Sequence, residues 1–212
     1  MNTQTNAPAK DEFSIHPATL LGHVSLSCQS GKSDRLLHPG ARIQTPLARR
    51  GIKPGLGAGG ADLLRLTEEP DLKKYRRVTG LYHFAVLFPD RRQLAIAVAR
   101  LFAFKYRNHP TDHIMTKTTY LDDPEGNGIE LYAESPEDGI FTIENNDFVT
   151  RRADGTLSDG REPLDVDALF SHLKADDKLD VPIPPETRVG HVHLHVRNVQ
   201  EAVDFYHGII GF

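Results

Sequence analysis

The chain has 212 residues, a formal net charge of −4, 39% hydrophobic residues, one cysteine and eleven histidines. This length supports one or two domains with a real core, and the mild charge with scattered basic residues points to neither a nucleic-acid nor a membrane surface. A single cysteine, Cys28, excludes an intrachain disulfide framework and fits a reducing, cytoplasmic setting. No apolar run approaches a membrane span, and the polar stretch from Met1 to Glu12 lacks the apolar core of a secretory signal.

Residues 1–18 read as a flexible N-terminus. Leu20-Leu-Gly-His-Val-Ser-Leu-Ser27 then reads as a strand with His23, Ser25 and Ser27 on one face. Residues 29–54 are rich in Arg, Gly, Pro and Ser with little periodicity, which is odd inside a compact domain. Gly55 to Thr67 reads as a glycine turn and a strand, not as a nucleotide-binding loop, because the segment after the glycines is strand-like. Gly80-Leu-Tyr-His-Phe-Ala-Val-Leu-Phe88 is a strand ended by Pro89-Asp90. Arg91 to Lys105 carries Leu94, Ala95, Val98, Leu101 and Phe102 at helical spacing and is expected to be a one-sided helix.

After a loop holding His113, the stretch Tyr120-Leu-Asp-Asp-Pro-Glu-Gly-Asn-Gly-Ile-Glu-Leu-Tyr132 reads as strand, turn, strand. Ile129 and Leu131 face one way; Glu130 and Tyr132 face the other. A carboxylate beside a tight hairpin is rigidly held, as a metal ligand must be. On its own, such a glutamate is more often a solvated residue on an open sheet face. Residues 136–188 form a connector with a short helix within Leu164 to Leu173 and an extended segment, Val181-Pro-Ile-Pro-Pro-Glu186, as a module boundary. Val189 to Asn198 is another strand, and Val199 to Gly208 an amphipathic helix.

Three strands place a histidine third in the same pattern: Leu21-Gly-His-Val-Ser-Leu, Leu81-Tyr-His-Phe-Ala-Val and Val189-Gly-His-Val-His-Leu. One such histidine is usually structural; three in equivalent places, with Glu130 on a later strand of the second copy, favour a metal site. This repeat, together with Asp123-Pro-Glu-Gly-Asn-Gly-Ile-Glu-Leu-Tyr132, resembles the βαβββ module of the vicinal oxygen chelate superfamily (glyoxalase I, bleomycin-resistance proteins and extradiol dioxygenases). Within it, Gly80-Leu-Tyr-His-Phe-Ala-Val and Gly190-His-Val-His-Leu-His-Val are similar to the bacterial catechol-2,3-dioxygenase group.

The resemblance implies an α+β fold of paired βαβββ modules. The first spans 19–79, with 29–54 aberrant; the second spans 80–135; a third begins at 189–212 and is cut short. It also implies a metal held by His23, His83 and Glu130, Fe(II) with Mn(II) as the alternative. His113 would be the acid–base group and Tyr120 a hydrogen-bonding partner of the substrate. His191, His193 and His195 alternate to one face of the third module and rank below the first triad, because their partner module is not in the sequence. The implied reaction, a step of aromatic catabolism, is extradiol cleavage of a catechol-type aromatic diol by O2. A non-catalytic small-ligand binder of the bleomycin-resistance type is the alternative, and a non-functional remnant a third reading.

Two departures from the family pattern stand out. Leu36-Leu-His-Pro-Gly-Ala-Arg-Ile-Gln44 can be encoded so that a reading one base later gives Phe-Tyr-Thr-Arg-Val-Leu-Gly-Phe, which matches the chain's own Phe205-Tyr-His-Gly-Ile-Ile-Gly-Phe212. The expectation is that 29–54 is translated out of frame. The stop at Phe212 leaves a third module of one strand and one helix, which cannot bury its own apolar face. The sequence therefore reads as a truncated form of a longer protein, with its activity at risk and a homo-oligomer left open.

Overall fold

The computed structural model describes residues 14–16, 18–28, 56–69, 71–73, 75, 78–144 and 147–212. The expectation of an out-of-frame segment at 29–54 lies outside the described residues. Among the described residues, twelve strands form three sheets with three helices, an α+β architecture consistent with βαβββ modules. None of these helices is long and apolar enough to cross a membrane.

The central sheet is built from the second repeat. Strand β4 (Gly80–Leu87) leads into helix α1 (Arg91–Ala103), then β5 (His109–Asp112), β6 (Thr116–Asp122) and β7 (Gly128–Glu134). Asp90 caps α1, its side chain accepting from the Gln93 amide at 2.8 Å. β4 lies parallel to β7, and β7 antiparallel to β6, so the first strand of the module is sewn to its last.

Strand alternation then divides the sheet into two faces. Phe84 and Val86 of β4 and Ala133 of β7 join Leu94, Ala95 and Val98 of α1 in the main core. Ala85 and Leu87 cluster with Tyr132 instead. Glu130 and His83 are buried polar residues on that second face.

The Asp123 carboxylate ties the turn before β7, accepting from the Glu125 and Asn127 amides at 2.8 Å each and from the Asn127 side chain. Gly128 closes it because a Cβ there would lie 2.6 Å from the Tyr82 carbonyl oxygen and 3.0 Å from the His83 Cβ. The Asp-Pro-Glu-Gly-Asn-Gly run is thus what lets β7 start hard against β4.

The third repeat supplies β12 (Arg188–His195) and α3 (Val199–Tyr206), and β12 pairs antiparallel with β4, His193 opposite His83. The six-stranded order is β11-β5-β6-β7-β4-β12, with β11 (Glu162–Pro163) on the far edge. The first repeat forms a separate sheet, ordered β1-β3-β2, from β1 (Val24–Cys28), β2 (Leu56–Ala58) and β3 (Ala61–Glu68). Its β1 is parallel to β3 as β4 is to β7, and Ala58 and Leu63 enter the same core.

The connector folds more fully than its sequence suggested. It forms β8 (Gly139–Glu144), β9 (Asp147–Arg152), β10 (Leu157–Ser158), β11 and the short helix α2 (Val166–Phe170). Strands β10-β9-β8 make a third sheet.

Candidate metal centre

The open face of the central sheet gathers three ligating groups: His83 from β4, Glu130 from β7 and His191 from β12. His83 Nε2 and His191 Nε2 each lie 3.0 Å from Glu130 Oε2, and 3.3 Å from one another. Three donors about 2.1 Å from one ion and about 90° apart around it lie about 3.0 Å from each other, so the set fits one face of a metal's coordination sphere. Two neutral nitrogens and one carboxylate on one face form the donor set of non-heme iron oxygenases.

Glu130 is 3% exposed. Burial alone would raise its carboxyl, but hydrogen bonds and charge from His191 and His83 outweigh that and bring it down to about 2. The group is therefore a carboxylate near neutral pH, ready to bind a cation. Thr118 Oγ1 donates to its other oxygen at 3.3 Å.

His191 reaches the centre because β12 bulges. Val189 pairs with Val86 and His191 with Ala85, leaving Gly190 as the extra residue that turns the imidazole to Glu130's side. Gly190 cannot carry a Cβ: one would sit 2.0 Å from the Tyr132 hydroxyl oxygen. The Tyr132 ring packs 5.4 Å from that of His191, and burial, then the charge of Glu130, raises its phenol to about 12.

The structure brings together His83 and Glu130 of the triad expected from sequence, but the third member is His191 in place of His23. His23 is exposed and precedes β1, whose sheet is separate from β4, β7 and β12. The register gives a physical reason. Val24 pairs with Leu64 as Phe84 pairs with Ile129, so Arg65 holds the place that Glu130 has in the second repeat. Arg65 is ion-paired with Asp62 at 2.8 Å, and a guanidinium there opposes a cation. The signal for His191 was present in Val189-Gly-His-Val-His-Leu. What sequence could not give was which histidine strand lies beside β4.

His113 and Tyr120 also come together beside the triad. Tyr120 stands opposite Glu130 in the β6–β7 ladder, and its ring lies 5.6 Å from that of His83. The His113 Nδ1 contacts the Gly160 carbonyl oxygen, which can only accept, so Nδ1 carries the proton. In the neutral imidazole Nε2 is then an acceptor, and the Tyr120 hydroxyl, 2.8 Å away, donates to it. Burial, followed by the nearby Glu130 charge, raises the Tyr120 phenol and keeps it a donor. His193 sits opposite His83 with rings 4.9 Å apart; burial and the surrounding histidines lower its pKa. His195 packs on Tyr82 at 4.5 Å, away from Glu130's hydrogen bonds.

His83, His113, Tyr120, Glu130, His191 and His193 line an open cleft of about 870 Å³, whose other lining includes Met115, Ile140, Phe141, Phe148 and Arg161.

No family model and no solved structure matches the chain. The catechol-2,3-dioxygenase of Bacillus subtilis (strain 168) is similar, with 33% identity over 202 residues that cover 94% of this chain and 67% of that protein.

Proposed function

We propose that this chain, which belongs to the vicinal oxygen chelate family of extradiol dioxygenases, is a metal-dependent enzyme that opens a catechol-type aromatic ring with O2. The observation that carries the reading is the His83–Glu130–His191 cluster, with its three donor atoms 3.0–3.3 Å apart on one sheet face. Fe(II), or Mn(II) in its place, would be held by these three residues and supply open positions for the two diol oxygens and for O2. His23 is not needed for this.

The chain's own groups account for the proton chemistry. A diol that binds a cation through its oxygens must release a proton. His113 Nε2 is positioned to take it by way of the Tyr120 hydroxyl, which already donates to that nitrogen. The Gly160 carbonyl accepts from Nδ1–H in both the neutral and the charged imidazole, so it holds the ring in place while Nε2 gains and loses its proton. A carboxylate with two imidazoles in the ligand set leaves net positive charge at the centre, which favours the deprotonated diol. The lining of the cleft also includes the apolar side chains of Ile140, Phe141 and Phe148.

The experiment is ring cleavage after anaerobic loading with Fe(II). Catechol is added with O2, and the coloured ring-opened product and oxygen uptake are followed together. Equal consumption of diol and O2, abolished by His191→Ala and kept by His23→Ala, supports the reading. Binding of catechol with no turnover in a metal-loaded, folded protein favours a small-ligand binder instead.

The setting we propose is cytoplasmic aromatic catabolism. We also propose that residues 29–54 are an out-of-frame stretch. The coding DNA tests this: codons that cannot yield Phe-Tyr-…-Gly-Phe one base later would overturn it.

A further inference from the structure

The His113 imidazole is carried by a three-residue link, His113-Ile114-Met115, between β5 and β6. The middle residue of that link is strained. Ile114 has φ 69°, in the left-handed region, and is 4% exposed. A β-branched side chain is an outlier there, and such a conformation persists only when its surroundings over-determine it. The Ile114 side chain is packed tightly: a Cβ on Gly139, at the start of β8, would lie 2.6 Å from its Cγ2.

Its backbone is held by one ammonium. Lys117 Nζ lies 2.7 and 2.8 Å from the two Asp112 carboxylate oxygens and donates to the Ile114 carbonyl oxygen at 3.2 Å. Asp112 Oδ1 in turn accepts from the Ile114 amide at 2.7 Å. Lys117 thus fixes both polar groups of Ile114, the C=O directly and the N–H through the carboxylate. Its other partner is Asp138 Oδ2 at 2.8 Å, which Arg91 also holds at 2.6 Å, so the three ammonium donors have three partners. The Lys117 side chain is 11% exposed, and lysine is almost never buried unless paired. Thr118 bonds Glu130 and Tyr120 stands opposite it, so strand alternation turns Lys117 to the other face of β6, away from the cleft. It acts on the cleft through the link that carries His113.

We propose that Lys117 is a positioning residue: by holding Ile114 in its left-handed conformation it aims the His113 imidazole, so that Nε2 meets the Tyr120 hydroxyl and Nδ1–H the Gly160 carbonyl oxygen. The part His113 plays in turnover rests on the ring-cleavage reading; the aim of its ring rests on the turn alone. Glycine adopts a left-handed φ without a steric cost. Ile114→Gly therefore relieves the strain and lessens the need for Lys117, which separates a clamp on this turn from a general contribution to folding.

The test uses the full chain. Loaded anaerobically with Fe(II), the native protein, Lys117→Met, Lys117→Arg, and Lys117→Met with Ile114→Gly added are compared for bound iron, KM for catechol and kcat. Lys117→Met is expected to keep its iron and a KM within about twofold of native, while kcat falls about 10- to 100-fold, the loss that follows when a reacting group is displaced by about 1 Å. Lys117→Arg, or the added Ile114→Gly, should restore most of it. In the metal-free chain, nitrogen-15 NMR reads the His113 ring, identified by its loss in His113→Gln. The native ring should show one fixed tautomer, protonated at Nδ1, and Lys117→Met an averaged one. An unchanged ring signal in folded Lys117→Met, or turnover with no fall in kcat, would overturn the proposal. Loss of iron, or a fall in kcat that neither Lys117→Arg nor Ile114→Gly restores, would also overturn it by making Lys117 a structural group only. If no form turns over catechol but the fixed tautomer is lost in Lys117→Met and recovered with Ile114→Gly, the positioning stands and the ring-cleavage reading fails. Should Lys117→Met not fold, Asp112→Asn decides by the same criteria, because it keeps the oxygen that accepts from the Ile114 amide and removes the charge that holds the ammonium.

Discussion

Glu130→Gln gives a stability change whose size and pH course derive from the site. The Glu130 carboxyl lies at about 2 in the folded chain against an ordinary 4.5. At about 1.36 kcal/mol per pH unit, that gap is a contribution of about 3 kcal/mol from the ionised group. The folded value is the lower one, so the contribution is fully present above pH 4.5 and is lost as pH falls from there toward about 2. Metal-free protein, prepared with chelator, would be unfolded in urea at steps from pH 7 to pH 3, native beside Glu130→Gln. Other carboxylates held low by cationic partners, such as Asp138 beside Lys117 and Arg91, titrate in both proteins, so the difference between the two curves isolates Glu130. The native chain should be more stable at pH 7 by about 3 kcal/mol, and rather more than half of that margin should be gone by pH 3. A margin that stays constant with pH would refute the claim that the two imidazoles hold this carboxyl down.

Gly190→Ala should push the Tyr132 hydroxyl off the β12 bulge, cost about 1–3 kcal/mol in urea unfolding and weaken metal affinity, because His191 is turned inward by that bulge. Tyr120→Phe leaves metal stoichiometry unchanged but removes the donor to His113 Nε2, and turnover of catechol should drop by about 10²-fold. Leu94→Ala, at a fully buried position between α1 and the central sheet, should cost about 2–5 kcal/mol in the same unfolding assay.

Much of the second repeat was legible because its signals are local. Helix α1 begins at Arg91 after the Asp90 cap and follows the Leu94, Ala95 and Val98 spacing, though it ends at Ala103, two residues before the expected Lys105. The Asp123 turn and the alternation through Glu130 and Tyr132 were readable for the same reason. Pairing between repeats was not. Strands led by His23, His83 and His191 look alike in sequence, and only tertiary register sets β12 beside β4 and puts Arg65 where a ligand carboxylate would be needed for His23. The β8–β9 hairpin carried a strand signal in Ile140-Phe141-Thr142 and Phe148-Val149-Thr150. It was hidden within a connector whose composition reads as polar and irregular.

The centre itself is tested most directly by counting iron. The native chain and the His23→Ala, His191→Ala and Glu130→Gln variants, each shown to be folded, would be equilibrated anaerobically with Fe(II), desalted and assayed for bound metal. About one iron per chain is expected in the native protein and in His23→Ala, with iron lost from His191→Ala and Glu130→Gln. Iron retained by folded His191→Ala and lost from His23→Ala would contradict the assignment of the site to β4, β7 and β12.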